Sequence, residues 1–159
     1  MRFWNTPLLA TEDKVRAMIR RSRTASPKHH RAFAVVLKAT GHAIGLVNYH
    51  HREPTNRRLE IGFITAPRFH RQGYTQEAVS ALLSHCFTSL NTHRVEALTD
   101  PQNAGSRALL ERIGFKQEGG PLRQRIILGS GTFGDQIVYS RLATDNGHGA
   151  IATPTPASA

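Results

Sequence analysis

The sequence predicts a single α/β domain built on a mixed β-sheet. Three observations support this fold class: β-rich runs lead, two stretches with helical spacing of apolar residues alternate with them, and the last strands form a hairpin around a glycine-rich turn. The 159 residues suffice for one hydrophobic core, and the 39% apolar content is typical of a globular protein. We expect one domain over residues 1–143 and a disordered tail over residues 144–159, where small residues, Gly and Pro dominate.

The first third of the chain predicts a helix and a hairpin. Thr11 can cap a helix with acidic residues in its first turn and arginines at its end, in agreement with the helix dipole. Residues 32–38 and 42–49 are β-rich runs on either side of the turn 39–41. A polar loop follows over residues 52–58.

The rest of the chain is organised around residues 59–90. Residues 59–64 alternate as in a strand, Pro67 ends the run, and the basic loop 68–75 leads into a helix. The apolar residues of this helix recur at spacings of three and four and predict one buried face: Val79, Leu82, Leu83, Cys86, Phe87 and Leu90.

The junction between the loop and this helix is a candidate phosphate site. The first amides of a helix have no partner within it and carry the positive end of its dipole. Gly73 allows the backbone to approach a ligand closely, and Arg68, His70 and Arg71 add positive charge. An ordinary turn glycine ahead of a packed helix is the alternative explanation of this pattern.

The last third predicts a strand, a helix and closing strands. Residues 93–99 form the strand, and Asn103 can cap a helix that stops at Gly114. The closing strands are expected over residues 116–118, 122–128 and 135–142.

Positive charge is concentrated at the start of the chain. The net charge is +10, and the first 60 residues hold 12 Lys or Arg against 4 Asp or Glu. RNA or an acidic protein surface is therefore a candidate partner of this third, with plain solubility as the alternative. Because no apolar run approaches the ~20 residues that span a bilayer and no signal peptide is recognisable, we expect a cytoplasmic protein with no membrane partner.

Neither the cysteine nor the histidines predict a reactive or metal site. Cys86 lies on the apolar helix face, which favours a structural thiol. The pairs His29-His30 and His50-His51 are adjacent in sequence, and neighbours on an extended chain point to opposite sides. Without a Cys cluster or an H-E-x-x-H motif, no metal is expected.

Several motifs occur together in a fixed order. They are residues 59–64 with Pro67, 73–78, 103–106, 110–115, and 138–140 with Leu142. As a set they resemble the GNAT superfamily of N-acetyltransferases, and most of all the RimJ/RimL-type branch that acetylates ribosomal-protein N-termini. The resemblance covers about residues 32–142. It implies the GNAT fold, with a mixed, mostly antiparallel central sheet flanked by helices, and direct transfer of an acetyl group from acetyl-CoA to a primary amine.

The resemblance also assigns the acetyl-CoA site. The diphosphate is expected at the helix start, where the loop pattern of the family falls on His70, Arg71, Gln72, Gly73, Tyr74 and Thr75. The remaining cofactor-binding residues are expected along the strand end and at the start of the second helix: Phe63, Ile64, Thr65 and Asn103. Only the central glycine keeps the family pattern unchanged, since arginine stands where glycine is common and Thr75 where a tiny residue is common.

Ser106 is the candidate acid that hydrogen-bonds the leaving thiolate. Many superfamily members carry a tyrosine seven residues after the asparagine, where this chain has Leu110; the RimL-like branch is similar to this chain in carrying a serine three residues after it. That spacing places Asn103 and Ser106 on one helix face. The alternatives are a simple N-cap and an ordinary helix-start serine. Backbone amides of residues 63–65 are candidate oxyanion donors.

Glu60 is the candidate base or water-orienting group. It shares a strand face with Gly62 and Ile64, close to the expected position of the acetyl group. A surface ion pair with Arg57 or Arg58 is the alternative role.

The expected acceptor is a protein or peptide α-amine, with a small-molecule amine next and a second copy of the chain as a further candidate partner. A different class stays open: a module of the same fold that has lost catalysis and binds RNA or an acidic protein through its basic first third.

Overall fold

The computed structural model of this chain describes residues 28–146, together with Arg20 and Ser26. The helix predicted from Thr11 and most of the predicted tail lie outside the described residues. The start of the tail forms the 3-10 helix Ala143–Asn146, so regular structure continues for three residues past the predicted boundary.

Six strands form one sheet. In chain order they are β1 Arg31–Val36, β2 Ala43–Glu53, β3 Arg58–Thr65, β4 Arg94–Thr99, β5 Lys116–Ile127 and β6 Phe133–Leu142. The spatial order is β1-β2-β3-β4-β6-β5, and every neighbouring pair is antiparallel except β3 with β4. The predicted mixed, mostly antiparallel sheet is therefore confirmed.

A helix follows each of the two parallel strands. Helix α1, Tyr74–Thr88, comes after β3 and the 3-10 turn Pro67–Phe69, and helix α2, Ala104–Arg112, comes after β4. Because β3 and β4 run in the same direction, both helices begin at the same edge of the sheet. Among the helices that the structure describes, none is both long and apolar enough to cross a membrane.

One face of the sheet carries the core. The strand side chains buried there alternate along the chain and include Val47, Tyr49, Leu59, Ile61, Val95 and Tyr139. The predicted face of α1 packs on them, since Val79, Leu82, Leu83, Cys86 and Phe87 are all buried. Each such large side chain stabilises the fold by roughly 1.5–3 kcal/mol. Leu90 lies beyond the helix end and is only partly buried.

The longest strand differs from its prediction. Residues 116–118 and 122–128 were expected as separate pieces because two glycines and Pro121 lie between them, yet pairing with β6 makes them one strand. The register shifts three times along this strand, which is how the sheet absorbs the intervening residues.

Candidate active site

Strands β3 and β4 separate part-way along their length. The pairing covers three residue pairs: Arg58 with Arg94, Leu59 with Val95, and Glu60 with Glu96. Beyond them β3 continues to Thr65 and β4 to Thr99, and in the described part of the chain these segments pair only with β2 and β6 respectively. A gap therefore opens between the two strands, toward the edge at which both helices begin.

One side of the β3 main chain faces this gap. The amide of Ala66 donates to the carbonyl of Ile44 at 2.8 Å, so the even-numbered residues at this end of β3 bond to β2. The amides and carbonyls of Phe63 and Thr65 consequently point into the gap, whereas those of Ile64 point to β2. Of the three amides predicted as oxyanion donors, those of Phe63 and Thr65 face the gap, and that of Ile64 does not.

The loop between β3 and α1 presents a run of unpaired amides. Arg71, with φ of 60°, and Gly73, with φ of 85°, are both left-handed, as in the main-chain nests that bind anions. Within the described residues, no amide from residue 71 to residue 76 donates a hydrogen bond, and the first bond of α1 runs from Glu77 N–H to the Gly73 carbonyl at 3.0 Å. A Cβ on Gly73 would meet no atom within 4 Å, so the space beside these amides is open.

Two contacts tie the end of β3 to this loop. The hydroxyls of Thr65 and Thr75 lie 2.8 Å apart, and His70 Nε2 lies 2.8 Å from the Thr65 carbonyl oxygen. A carbonyl oxygen only accepts, so Nε2 of His70 carries the hydrogen. His70 thus holds the end of β3 by donating this hydrogen bond. The hydroxyl of Thr75 is the hydrogen-bond partner of Thr65, whose side chain is buried.

Of the two arginines in this loop, Arg68 contacts a neighbouring ring and Arg71 contacts no described partner. Arg68 stacks on Phe69 at 4.8 Å and its carbonyl accepts from Gln72 Nε2 at 2.9 Å, while the ring of Tyr74 packs edge-on against Phe69. Arg71 is exposed and makes no hydrogen bond or ion pair with any described residue. Its backbone is left-handed, a conformation that costs a residue with a side chain about 1–2 kcal/mol relative to glycine.

Helix α2 begins across the gap from this loop. The Asn103 side-chain oxygen accepts from the Ser106 amide at 3.1 Å, which confirms the predicted N-cap. Both residues are half-buried, and the Ser106 hydroxyl has no partner among the described residues. A free hydroxyl therefore lies at the start of α2, at the same sheet edge as the open amides of the loop.

Glu60 lies on the last residue pair before the strands part. Its Oε2 lies 3.2 Å from His51 Nδ1, and its Oε1 lies 3.7 Å from His50 Nε2. The alternative ion pair with Arg57 or Arg58 is wrong. Those arginines are bonded elsewhere, Arg57 to Asn91 and Arg58 to Glu53 and Glu96.

The two adjacent histidines correct another expectation. Extended neighbours point to opposite sides, but His51 has a left-handed φ of 48° within a pairing irregularity of β2. The two Nδ1 atoms consequently lie 3.1 Å apart. Burial lowers the pKa of His50 below its usual range, and nearby Glu60 acts in the opposite direction.

Sequence reasoning did not identify Asn48, which lies beside Glu60. Asn48 pairs with Gly62, and the next pair along is His50 with Glu60. The Asn48 Oδ1 atom is buried without a hydrogen-bond partner, and a Cβ on Gly62 would lie 2.5 Å from it. Gly62 therefore makes room for a polar group on the sheet face opposite α1. A polar asparagine within an alternating strand could have marked Asn48 as a functional residue. Its location beside Glu60, however, depends on how β2 pairs with β3, which the sequence does not show.

The chain is similar in sequence to known proteins. The family model described as "Acetyltransferase (GNAT) domain" matches residues 1–116. The chain is 36% identical over 87 residues to "Uncharacterized N-acetyltransferase p20" of Bacillus licheniformis, covering 55% of this chain and 49% of that protein. It is 33% identical over 102 residues to "Putative ribosomal N-acetyltransferase YdaF" of Bacillus subtilis, covering 64% and 55%.

The fold is also similar to solved structures. A structure from Vibrio cholerae described as "a putative ribosomal-protein-serine acetyltransferase" superposes with a TM-score of 0.75 at 26% identity, covering 89% of this chain and 78% of the other. The chain spans about half the length of the curated relatives it matches. With a family model covering most of the chain and the same fold in a solved structure, this protein belongs to the GNAT acetyltransferase family.

Proposed function

We propose that this protein transfers an acetyl group from acetyl-CoA to a primary amine, with a protein or peptide N-terminal α-amine as the first acceptor class and a small-molecule amine as the second. The observation that carries the proposal is the run of unpaired amides at residues 71–76 beside the gap between β3 and β4. A diphosphate accepts hydrogen bonds from such amides. The extended, amide-containing arm of coenzyme A can bond to the Phe63 carbonyl and the Thr65 amide much as an added strand would.

The reaction sets three requirements. The amine nitrogen bonds to the thioester carbon while the carbon–sulfur bond breaks, so the site takes a proton from the amine, stabilises the carbonyl oxygen and supplies a hydrogen bond or proton to the leaving sulfur. The Phe63 amide in the gap is the proposed donor to the carbonyl oxygen. The Ser106 hydroxyl, free of partners among the described residues, is the proposed donor to the sulfur.

Glu60 is the proposed base, or the group that orients a water acting as base. Its half-buried carboxylate and the unpaired Asn48 Oδ1 are neighbouring acceptors on one face of β2 and β3. An α-amine with a pKa near 8 is roughly one-tenth neutral at pH 7, whereas a lysine is neutral only a few times in ten thousand. An α-amino acceptor therefore needs the weaker base, and the names of the two ribosomal relatives favour the same class.

The non-catalytic alternative has less support. Binding of RNA through the basic first third needs free cations. Among the described residues of that third, Arg52, Arg57 and Arg58 direct their guanidinium groups at other groups of the chain. The open amides beside the gap would also have no role in such a module.

Titration calorimetry with acetyl-CoA, followed by a screen of N-terminal peptides and small amines for release of free CoA, tests the proposal. Micromolar binding and CoA release dependent on a peptide α-amine are expected; an absence of acetyl-CoA binding would remove the proposed function.

The role of Ser106 has its own test. Ser106→Ala should lower turnover by about tenfold or more while acetyl-CoA affinity stays within about twofold. Ser80→Ala, at an exposed position on α1, is the matched control and should behave as wild type. Unchanged turnover in Ser106→Ala would discard its role as donor to the sulfur.

A further inference from the structure

We propose that His50, His51 and Glu60 form a binding site for a divalent transition-metal ion of the zinc class. Within the described residues, one ligand atom from each of the three lies within 4.8 Å of the other two. The three come from the two adjacent strands β2 and β3, at the point where β3 begins to part from β4.

The backbone brings these side chains together. The pair His50 with Glu60 places one histidine directly across the strands from the carboxylate. Ordinary alternation would send His51 to the opposite face, but its φ of 48° and the irregular pairing between His50 and Glu53 turn it back to the same side. The main chain, through the left-handed φ of His51, therefore places the three side chains on the same side of the sheet, whatever rotamers their ends adopt.

Two of the three spacings between the ligand atoms match those around a tetrahedral ion. Nδ1 of His51 lies 3.1 Å from Nδ1 of His50 and 3.2 Å from Oε2 of Glu60. In a tetrahedral zinc site with bonds of about 2.0–2.1 Å, neighbouring ligand atoms are about 3.3 Å apart. The third spacing, between the ligand atoms of His50 and Glu60, lies within 4.8 Å, so an ion that contacts all three atoms draws these two side chains closer together.

Hydrogen-bond accounting points the same way. His51 Nδ1 is within hydrogen-bond distance of two atoms, His50 Nδ1 and Glu60 Oε2. A ring nitrogen carries at most one hydrogen, so a neutral His51 donates to at most one of these two atoms. In the tautomer of His50 that carries its hydrogen on Nε2, which lies 3.7 Å from Glu60 Oε1, both neighbours of His51 Nδ1 offer lone pairs. A single cation between the three atoms satisfies every lone pair at once.

The donor set indicates which ions fit. Two imidazoles and one carboxylate suit Zn²⁺, Co²⁺, Ni²⁺ and Cu²⁺, and are less suited to Mg²⁺ or Ca²⁺, which favour oxygen ligands. The His51 side chain is 78% exposed, so an ion can enter from solvent and keep a water at its open position. Glu60 is only 23% exposed, which strengthens its attraction for a cation.

Occupancy of this site would act on the reaction. A carboxylate that binds a metal ion is no longer free to take a proton from an amine, so the ion should inhibit acetyl transfer. This consequence rests on the proposed function of Glu60, whereas metal binding itself does not.

The test is a Zn²⁺ titration by calorimetry on the full chain without an affinity tag and in the absence of acetyl-CoA, with visible absorption of the Co²⁺ complex as a second readout. One ion per chain with micromolar affinity is expected. Glu60→Gln and His51→Asn, in which asparagine tolerates the left-handed backbone, should each weaken binding by about tenfold or more. His42→Ala, at an exposed histidine in the β1–β2 turn, is the control and should bind as wild type.

The outcomes separate cleanly. No Zn²⁺ binding, or binding equally strong in wild type and in both variants, would overturn the proposed site. Because binding is measured without acetyl-CoA, failure of the acetyltransferase assay leaves this result intact. If Zn²⁺ binds as expected but leaves acetyl transfer unchanged, the site stands and the role of Glu60 as base falls.

Discussion

Replacing Gly73 by alanine tests the acetyl-CoA cradle most directly. Gly73 has φ of 85°, a conformation that costs a residue with a Cβ about 1–2 kcal/mol. The added methyl meets no protein atom within 4 Å, so the fold pays the backbone cost alone. That loss corresponds to a fall in Tm of about 2–8 °C for a domain of this size.

The same methyl occupies the open space beside the free amides. A diphosphate held there would have to move away from them, and losing the equivalent of one charge-assisted hydrogen bond of about 1.5–3 kcal/mol weakens binding by at least about tenfold. Titration calorimetry with acetyl-CoA measures this loss, and thermal unfolding measures the backbone cost.

Gly41→Ala is the matched control. Gly41 has φ of 71°, also meets no atom within 4 Å, and lies in the β1–β2 turn away from the loop. Its replacement should lower Tm by a similar amount and leave acetyl-CoA affinity unchanged. If Gly73→Ala lost stability like the control but bound acetyl-CoA as tightly as wild type, the diphosphate would not lie on these amides.

Three further predictions concern charge, burial and pH. Arg71→Ala and Arg71→Gly should both weaken acetyl-CoA binding by roughly 1 kcal/mol, because both remove the charge. Only the glycine variant should raise Tm, since glycine adopts the left-handed backbone without strain. Wild-type affinity in both variants would contradict a contact between Arg71 and phosphate. Burial raises the pKa of Cys86 to about 12, so its reaction with a thiol reagent at neutral pH should be on the order of a thousandfold slower in the native protein than in denaturant, and fast native labelling would contradict a structural role. The hydrogen bond from Arg94 holds the pKa of Glu118 at about 2, so its stabilisation is present above the unfolded value of about 4.3 and is lost as pH falls toward 2. Denaturant unfolding of Glu118→Gln should show a deficit below about 1 kcal/mol at neutral pH, because the pair is partly exposed, and none near pH 2; an equal deficit at both pH values would contradict the linkage.

Features set by local chemistry were predictable from the sequence. The buried face of α1 follows from apolar spacing, and the cap of α2 follows from an asparagine ahead of a helix, whose oxygen reaches an amide three residues away. The continuity of β5 was not predictable, because its glycines and Pro121 signal a break and only the partner strand maintains pairing across them.

The candidate site divides in the same way. Gly73 at the helix start was identified because a left-handed glycine before a helix is a local pattern. Three other features depend on contacts distant in sequence or on an uncommon backbone: the gap beside Phe63, the contact of Glu60 with two histidines, and the left-handed φ of His51. Sequence periodicity assumes extended geometry throughout a strand, so it placed the adjacent histidines on opposite faces.

The brevity of the β3–β4 pairing has a consequence for how the protein unfolds. On one side of it lie β1, β2 and β3, within residues 31–65; on the other lie β4, β5 and β6, within residues 94–142. Each trio is a continuous piece of chain whose strands pair with one another. Among the described residues, the two trios are joined by three residue pairs, the ion pair of Arg58 with Glu96, and the core beneath α1. The amides of each trio should therefore exchange with hydrogen as one group, at a rate that differs between the two trios. The amides of β3 and β4 that pair with each other should stay protected only while α1 remains packed on both trios.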